Sequence, residues 1–418
     1  MNSDSFDGLT RFSGRAGVVS VAMVLLACSS SSNGASSGPD AGPDTSNGTG
    51  GKDSGGPSEG GGPGSEAGPV GDGGDGGVTV TFDLVAQTNL VSDLADAGAQ
   101  LVDPNLTNAW GLAFSGGGTP WVSDNGSDML SFYPKGDAGL AARSVGVTPP
   151  GDAGVAGPSG QIFNAASKAT DGGTGLFNGD LFIACTESGT ISGWKPADGT
   201  TAATEVDESA TGAVFKGLAV VPTATPELAV ADFHNGVIRL YDTTYAPMTT
   251  PANKWVDSTV PAGFAPFNIL ADGTSVYVAY AKQLGPDNHD DMKGPGNGAV
   301  SVFQTDGTLV KSLIPAGAQL DSPWGMAVVP AGGWATLPAG ALLVGSFGAG
   351  TVWAFDATTG APLGQLATSS STPLVIEGLW ALGFWANPSD AGASQLLYFT
   401  AGPNAENDGL FGYLAPSP

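Results

Sequence analysis

Trp324-Gly325-Met326-Ala327-Val328-Val329-Pro330 is a short apolar strand that the chain writes more than once. Trp110-Gly111-Leu112-Ala113-Phe114 and Lys216-Gly217-Leu218-Ala219-Val220-Val221-Pro222 are close copies, and Ser159-Gly160-Gln161-Ile162-Phe163, Phe267-Asn268-Ile269-Leu270-Ala271 and Trp380-Ala381-Leu382-Gly383-Phe384 are looser ones. The register therefore runs 111, 160, 217, 268, 325, 381. Self-similarity at such a period, with every copy a strand, marks a radial β repeat whose units bury their faces only against their neighbours.

Working outward from each copy, a second strand, a polar turn and a third strand follow. Trp121-Val122-Ser123-Asp124 turns through Asn125-Gly126-Ser127 into Met129-Leu130-Ser131-Phe132-Tyr133. Leu228-Ala229-Val230-Ala231-Asp232 turns at His234-Asn235-Gly236 into Val237-Ile238-Arg239-Leu240-Tyr241. Alternating strands separated by Gly and Asn turns read as antiparallel meanders. The expectation is an all-β fold: a six-bladed β-propeller of four-stranded antiparallel blades over residues 78–418, with a seventh blade as the alternative if 246–260 hides a degenerate strand. A run at 78–85, ahead of the first repeat, is expected to pair into the last blade and close the ring, because an unstitched propeller leaves a long strand edge open.

Composition agrees. The chain has 67 Gly and 30 Pro in 418 residues and only 12% charged residues, which suits short strands and tight turns rather than helices. Its net charge is −26. Residues 29–77 hold seven acids and one Lys, and the first 28 residues balance, so −20 falls on the remainder. That sign excludes nucleic acid as a partner and favours cations.

The first 28 residues read as an export signal, with Arg11 and Arg15 ahead of a ten-residue apolar run from Val18, too short to span a bilayer as a helix. Leu25-Leu26-Ala27-Cys28 resembles the bacterial lipobox, which implies acylation of Cys28 and, with Ser at 29 and 30, an outer-membrane address, periplasmic or surface-exposed. Residues 29–77 are Gly, Ser, Pro and Asp with almost no aliphatic side chain, a disordered tether whose coil would average ~35 to 42 Å end to end. The folded part is expected to be a monomer held to the membrane by this lipid.

Residues 217–242 resemble the NHL repeat. More closely, Gln87-Thr88-Asn89-Leu90-Val91-Ser92-Asp93, Asp103-Pro104-Asn105-Leu106, Gly189-Thr190-Ile191-Ser192-Gly193-Trp194 and His289-Asp290-Asp291 with Gly294-Pro295-Gly296-Asn297-Gly298 are similar to an uncharacterised family of exported bacterial propellers. Some of its members carry a C-terminal PEP-CTERM tail. Here the last strand is followed directly by Pro418, and the lipid at Cys28 is expected to serve as the anchor. The resemblance implies a fold and brings no activity.

Site candidates must come from the residues. The fourth unit replaces its tight turn by an insertion, 281–298, holding Asp287, His289, Asp290 and Asp291, and long loops on a rigid scaffold carry function. That loop is expected to fold over the channel mouth and offer carboxylates to a cation or a basic partner. Asp124, Asp232 and His234, at the turns after the second strands, are further binding candidates. Asn108, Asn268, Asp321 and Glu377 enter the inner strands and form a possible oxygen-ligand set for Ca²⁺. No nucleophile elbow, zinc spacing or phosphate loop occurs. The chain reads as a non-catalytic binding or scaffold module for an unknown small-molecule or protein ligand; the alternative is a Ca²⁺-dependent hydrolase of the lactonase type working in the channel, with Glu377 recalling no more than that family's entry residue.

Overall fold

The computed structural model describes residues 82–136, 139–151, 154–167, 175–317, 319–385 and 396–417. They form six antiparallel sheets arranged as the blades of a propeller. Blade one is Ala109–Phe114, Pro120–Asp124, Met129–Phe132 and Arg143–Gly146; blade two is Pro158–Phe163, Phe182–Thr186, Thr190–Trp194 and Ala203–Asp207. Blades three, four and five begin at Phe215–Val221, Phe264–Asp272 and Pro323–Val328 and continue in the same order. Blade six runs Leu379–Trp385, Leu396–Ala401, Leu410–Pro416 and then takes its outer strand from the other end of the chain.

That closing strand is Phe82–Ser92. From Val85 onward it lies antiparallel to Leu410–Pro416, while Phe82 to Leu84 pair in parallel with Gln365 to Ala367 of blade five. The ring is thus stitched as expected, but by a strand that runs further along the chain than the β-branched run at 78–85; residues 78–81 lie outside the described residues. Gln87, Thr88 and Asn89 sit within it because an outer strand shows one face to water, and polar side chains suit that face.

The stretch 246–260 holds only Pro247–Met248, a two-residue strand that completes blade three, and no seventh blade is present among the described residues. Trp255 from this stretch is instead buried against Phe303 of blade four. The insertion of blade four is 283–297, between Ser275–Lys282 and Gly298–Gln304. Pro403–Glu406 is a single turn in which Asn404, Ala405 and Glu406 take positive φ, and no helix among the described residues is long and apolar enough to cross a membrane.

The repeat glycines explain how closely six strands gather. A Cβ built on Gly111 would fall 2.3 Å from the carbonyl oxygen of Ser159, and one on Gly217 would fall 2.7 Å from the Cα of Asn268. The inner strands therefore touch at a waist that any side chain would force open. Where blade four carries Asn268 instead, its amide nitrogen donates to the Trp324 carbonyl at 2.8 Å, a hydrogen bond to the next inner strand.

Candidate functional site

The residue before each repeat position faces the axis: Trp110, Ser159, Lys216, Phe267, Trp324 and Trp380. Four are aromatic and plug the channel. Trp110 stacks on Trp380 at 3.6 Å between centroids, Trp380 stacks on Phe347 at 3.7 Å, and Trp324 meets both indoles edge-on at 6.2 and 6.3 Å. Trp324 Nε1 donates across the channel to the Lys216 carbonyl at 3.1 Å. Trp380 Nε1 donates to Asn108 Oδ1 at 2.8 Å.

Lys216 is the exception in this ring, and the site is built on it. Its side chain is buried, with Nζ 5.1 Å from the Trp110 ring centroid and 5.9 Å from that of Phe233. The ammonium meets Glu187 Oε1 in a close ion pair and lies 3.8 Å from Asp290 Oδ1. Burial works against the charged amine, but Glu187 and then Asp290 and Asp291 outweigh it and hold the Lys216 pKa above the ordinary lysine value. Glu187 Oε2 accepts from Asn125 Nδ2 at 2.8 Å, and Asn108 Nδ2 donates to Asn125 Oδ1 and to Glu406 Oε2, both at 3.1 Å. Burial pushes the Glu406 carboxyl up.

The insertion of blade four supplies the rest. Backbone bonds from Leu284 N to the Asp290 carbonyl (2.8 Å) and from Met292 N to the Lys282 carbonyl (2.7 Å) fold it into a tight excursion. His234 Nδ1 donates to the Asp287 carbonyl at 2.8 Å, so two residues distant in sequence, each read as a binding candidate, meet at the loop tip. His289 Nδ1 and Asp290 Oδ1 are 2.8 Å apart; that bond raises the imidazole pKa and lowers that of the carboxylate. Asp291 is driven upward by burial. Its carboxyl group is buried beside the Ser322 hydroxyl, which tempers the rise, and Trp110 Nε1 is buried with no hydrogen-bond partner.

Glu187, His289 and Asp290 each bring a ligand atom within 4.8 Å of the others, a spacing a metal ion accepts. The Lys216 ammonium already lies against both carboxylates, so the place of a metal is held by the chain's own cation.

The four residues proposed as Ca²⁺ ligands have separate duties. Asp321 Oδ1 accepts from Gly294 N at 2.6 Å and pins the insertion to blade five. Glu377 Oε1 accepts from Asn404 N at 3.0 Å. Asn268 Oδ1 accepts from Ile269 N at 2.8 Å, and Asn108 Oδ1 takes the Trp380 indole. Asn108 also adopts φ 47°, a left-handed turn into the inner strand that asparagine tolerates. Asp124 and Asp232 are fully buried within blades one and three and bond to none of the mouth residues. Cys28 lies outside the described residues; Cys185 is buried and free, its thiol pKa pushed up to about 12 by burial.

Sequence reasoning passed over Lys216, Glu187, Asn125 and Glu406. Lys216 had a signal: it is the only charged residue in a ring otherwise made of Trp, Phe and Ser. The other three had none, because they come from turns of three different blades that only ring closure brings together.

No family model matches the chain. It is 31% identical over 334 residues to the uncharacterized protein R648 of Acanthamoeba polyphaga mimivirus, covering 77% of this chain and 78% of the viral protein. The chain belongs to that protein's family. A second mimivirus protein, the uncharacterized L690, is 28% identical over 323 residues, covering 75% of this chain and 81% of its own length. Among solved structures, a Bacteroides thetaiotaomicron protein of unknown function aligns with a TM-score of 0.50 at 13% identity, over 79% of this chain and 76% of that one. This last likeness is one of fold.

Proposed function

We propose that this family member is a non-catalytic binding propeller, exported and held at the cell envelope through an acylated Cys28, which captures a cationic group at its channel mouth. The observation that carries the binding reading is the charge balance there. Glu187, Asp290, Asp291 and Glu406 gather about Lys216, Lys293 and His289, so the carboxyl groups outnumber the nitrogen bases that can balance them. An organic cation such as an amine or guanidinium would donate its N–H groups to the carboxylate oxygens of this cluster and take up surplus negative charge. Asn108, Asn268, Asp321 and Glu377 each spend an oxygen on a separate N–H of the fold, which favours binding over lactonase chemistry. The lipobox and the long polar tether support the envelope address.

The test is calorimetric titration of the full chain with spermidine and with arginine methyl ester, beside a variant in which 283–297 is replaced by a Gly-containing turn. Saturable binding by at least one probe, lost in a shortened variant with unchanged melting, is expected. Wild-type affinity in a well-folded shortened variant, or no binding of either probe to the intact chain, would sink the reading.

A further inference from the structure

At the opposite end of the axis five of the six inner strands flare around an open bowl of about 500 Å³, lined by Leu112, Phe114, Gln161, Met326, Leu382 and Trp385 among others. We propose that this bowl is a second binding site, for a small neutral aromatic molecule that carries one hydrogen-bond donor.

The repeat register makes Gln161 the informative residue. The position after the repeat glycine is Leu112, Gln161, Leu218, Ile269, Met326 and Leu382, so five blades place an apolar side chain there and blade two places an amide. Gln161 is 5% exposed. Its Nε2 donates to the Gly111 carbonyl at 3.3 Å, and a reversed amide would set two oxygens against each other, so the orientation is fixed. That leaves Oε1 buried and without a partner. An unmade bond to a buried acceptor costs about 1 to 3 kcal/mol, which a donor on a guest would recover. The side chains beside it, Leu112, Met326 and Leu382, are apolar and offer a bound water few further partners.

The wall selects the rest of the ligand. Phe114 and Trp385 stack with centroids 5.3 Å apart, and Phe163 and Phe384 stand beside them, so the bowl presents ring faces and edges to a flat apolar guest. The volume falls in the range of small-molecule sites. No Lys or Arg lines it, Asp272 stands exposed at the rim, and the folded part carries a charge of −20, all of which disfavour an anion. The aromatic plug and the glycine waist separate this end from the mouth, so the two sites fail or succeed independently.

Indole and 1-methylindole are matched probes, since methylation removes the donor and keeps the ring. Titrated calorimetrically into the full chain, indole is expected to saturate and to bind about tenfold more tightly than 1-methylindole. Gln161→Leu, which writes into blade two the residue its neighbours use, should erase that preference without lowering the melting temperature. Gly383→Leu fills the bowl at a position where an added Cβ meets Phe114 and Leu112 at 3.5 and 3.6 Å, ordinary contact distances, and should abolish binding of both probes. The proposal is overturned if neither probe saturates, if the intact chain binds both equally, or if the preference survives in Gln161→Leu. Should that variant not fold, undiminished indole binding by folded Gly383→Leu overturns it equally.

Discussion

Blades one and three carry the same aspartate in the same place and treat it in opposite ways. Asp232 ends the second strand of blade three and Asp124 that of blade one; seven residues later stand Arg239 and Ser131, which face Val230 and Val122 in identical register. Asp232 Oδ2 accepts from Arg239 Nε at 2.6 Å and from Asn235 Nδ2 at 2.9 Å. Asp124 has no arginine. Its carboxyl group is fully buried with Ser131 beside it and no cation; burial drives its pKa well up, hydrogen bonding to Ser131 tempers the rise and Asp103 adds to it. One repeat template thus yields an ion pair in one blade and an unpaired carboxyl group with a raised pKa in another. The acid follows the template, and whether it meets a cation depends on one position across the hairpin.

Removing the cation from blade three should have the largest effect. Arg239→Met is expected to lower stability by about 3 kcal/mol at neutral pH, because it strands the buried Asp232 charge; denaturant unfolding measures it. A loss under about 1 kcal/mol would show the two blades to be equivalent after all.

Asp124→Asn should move the other way, raising stability at pH 7.5. The sign follows from linkage: a raised native pKa means that the folded chain holds a proton the unfolded chain releases. Wild-type stability from this group is therefore full below the unfolded value near 3.8 and falls as pH climbs toward the native value. The gain of the variant should vanish by about pH 4, and a gain that does not change with pH would assign it to packing instead.

The smallest expected change is in Arg239→Lys, about 1 kcal/mol. Lysine keeps the charge but loses the planar fork that reaches Asp232 and Glu208 together. Equality with Arg239→Met would mean that geometry, not charge, sustains the pair.

The fold was legible because a propeller is written locally. Each blade repeats a Gly-centred inner strand, a turn and alternating partners, and the glycine is required wherever adjacent backbones touch, as at Gly111 and Gly217. The odd residues were also on the page: Lys216 among the ring of aromatics, Gln161 among the aliphatics, Ser131 where blade three has Arg239. What no local pattern could give is which turns meet. Glu187, Asn125, Glu406 and Asp290 come from blades two, one, six and four, and they converge only because the Phe82–Ser92 strand closes the ring and Asp321 holds the insertion over the axis. The sequence by itself determined the repeat, the strand order and the residues that differ between blades, since these depend on neighbours a few positions apart. The tertiary structure alone decided that Asn108, Asn268, Asp321 and Glu377 each accept a different N–H of the fold while a buried lysine stands at the centre of the mouth, because hydrogen-bond partners and desolvation are set by contacts between residues as distant in sequence as Asn108 and Glu406.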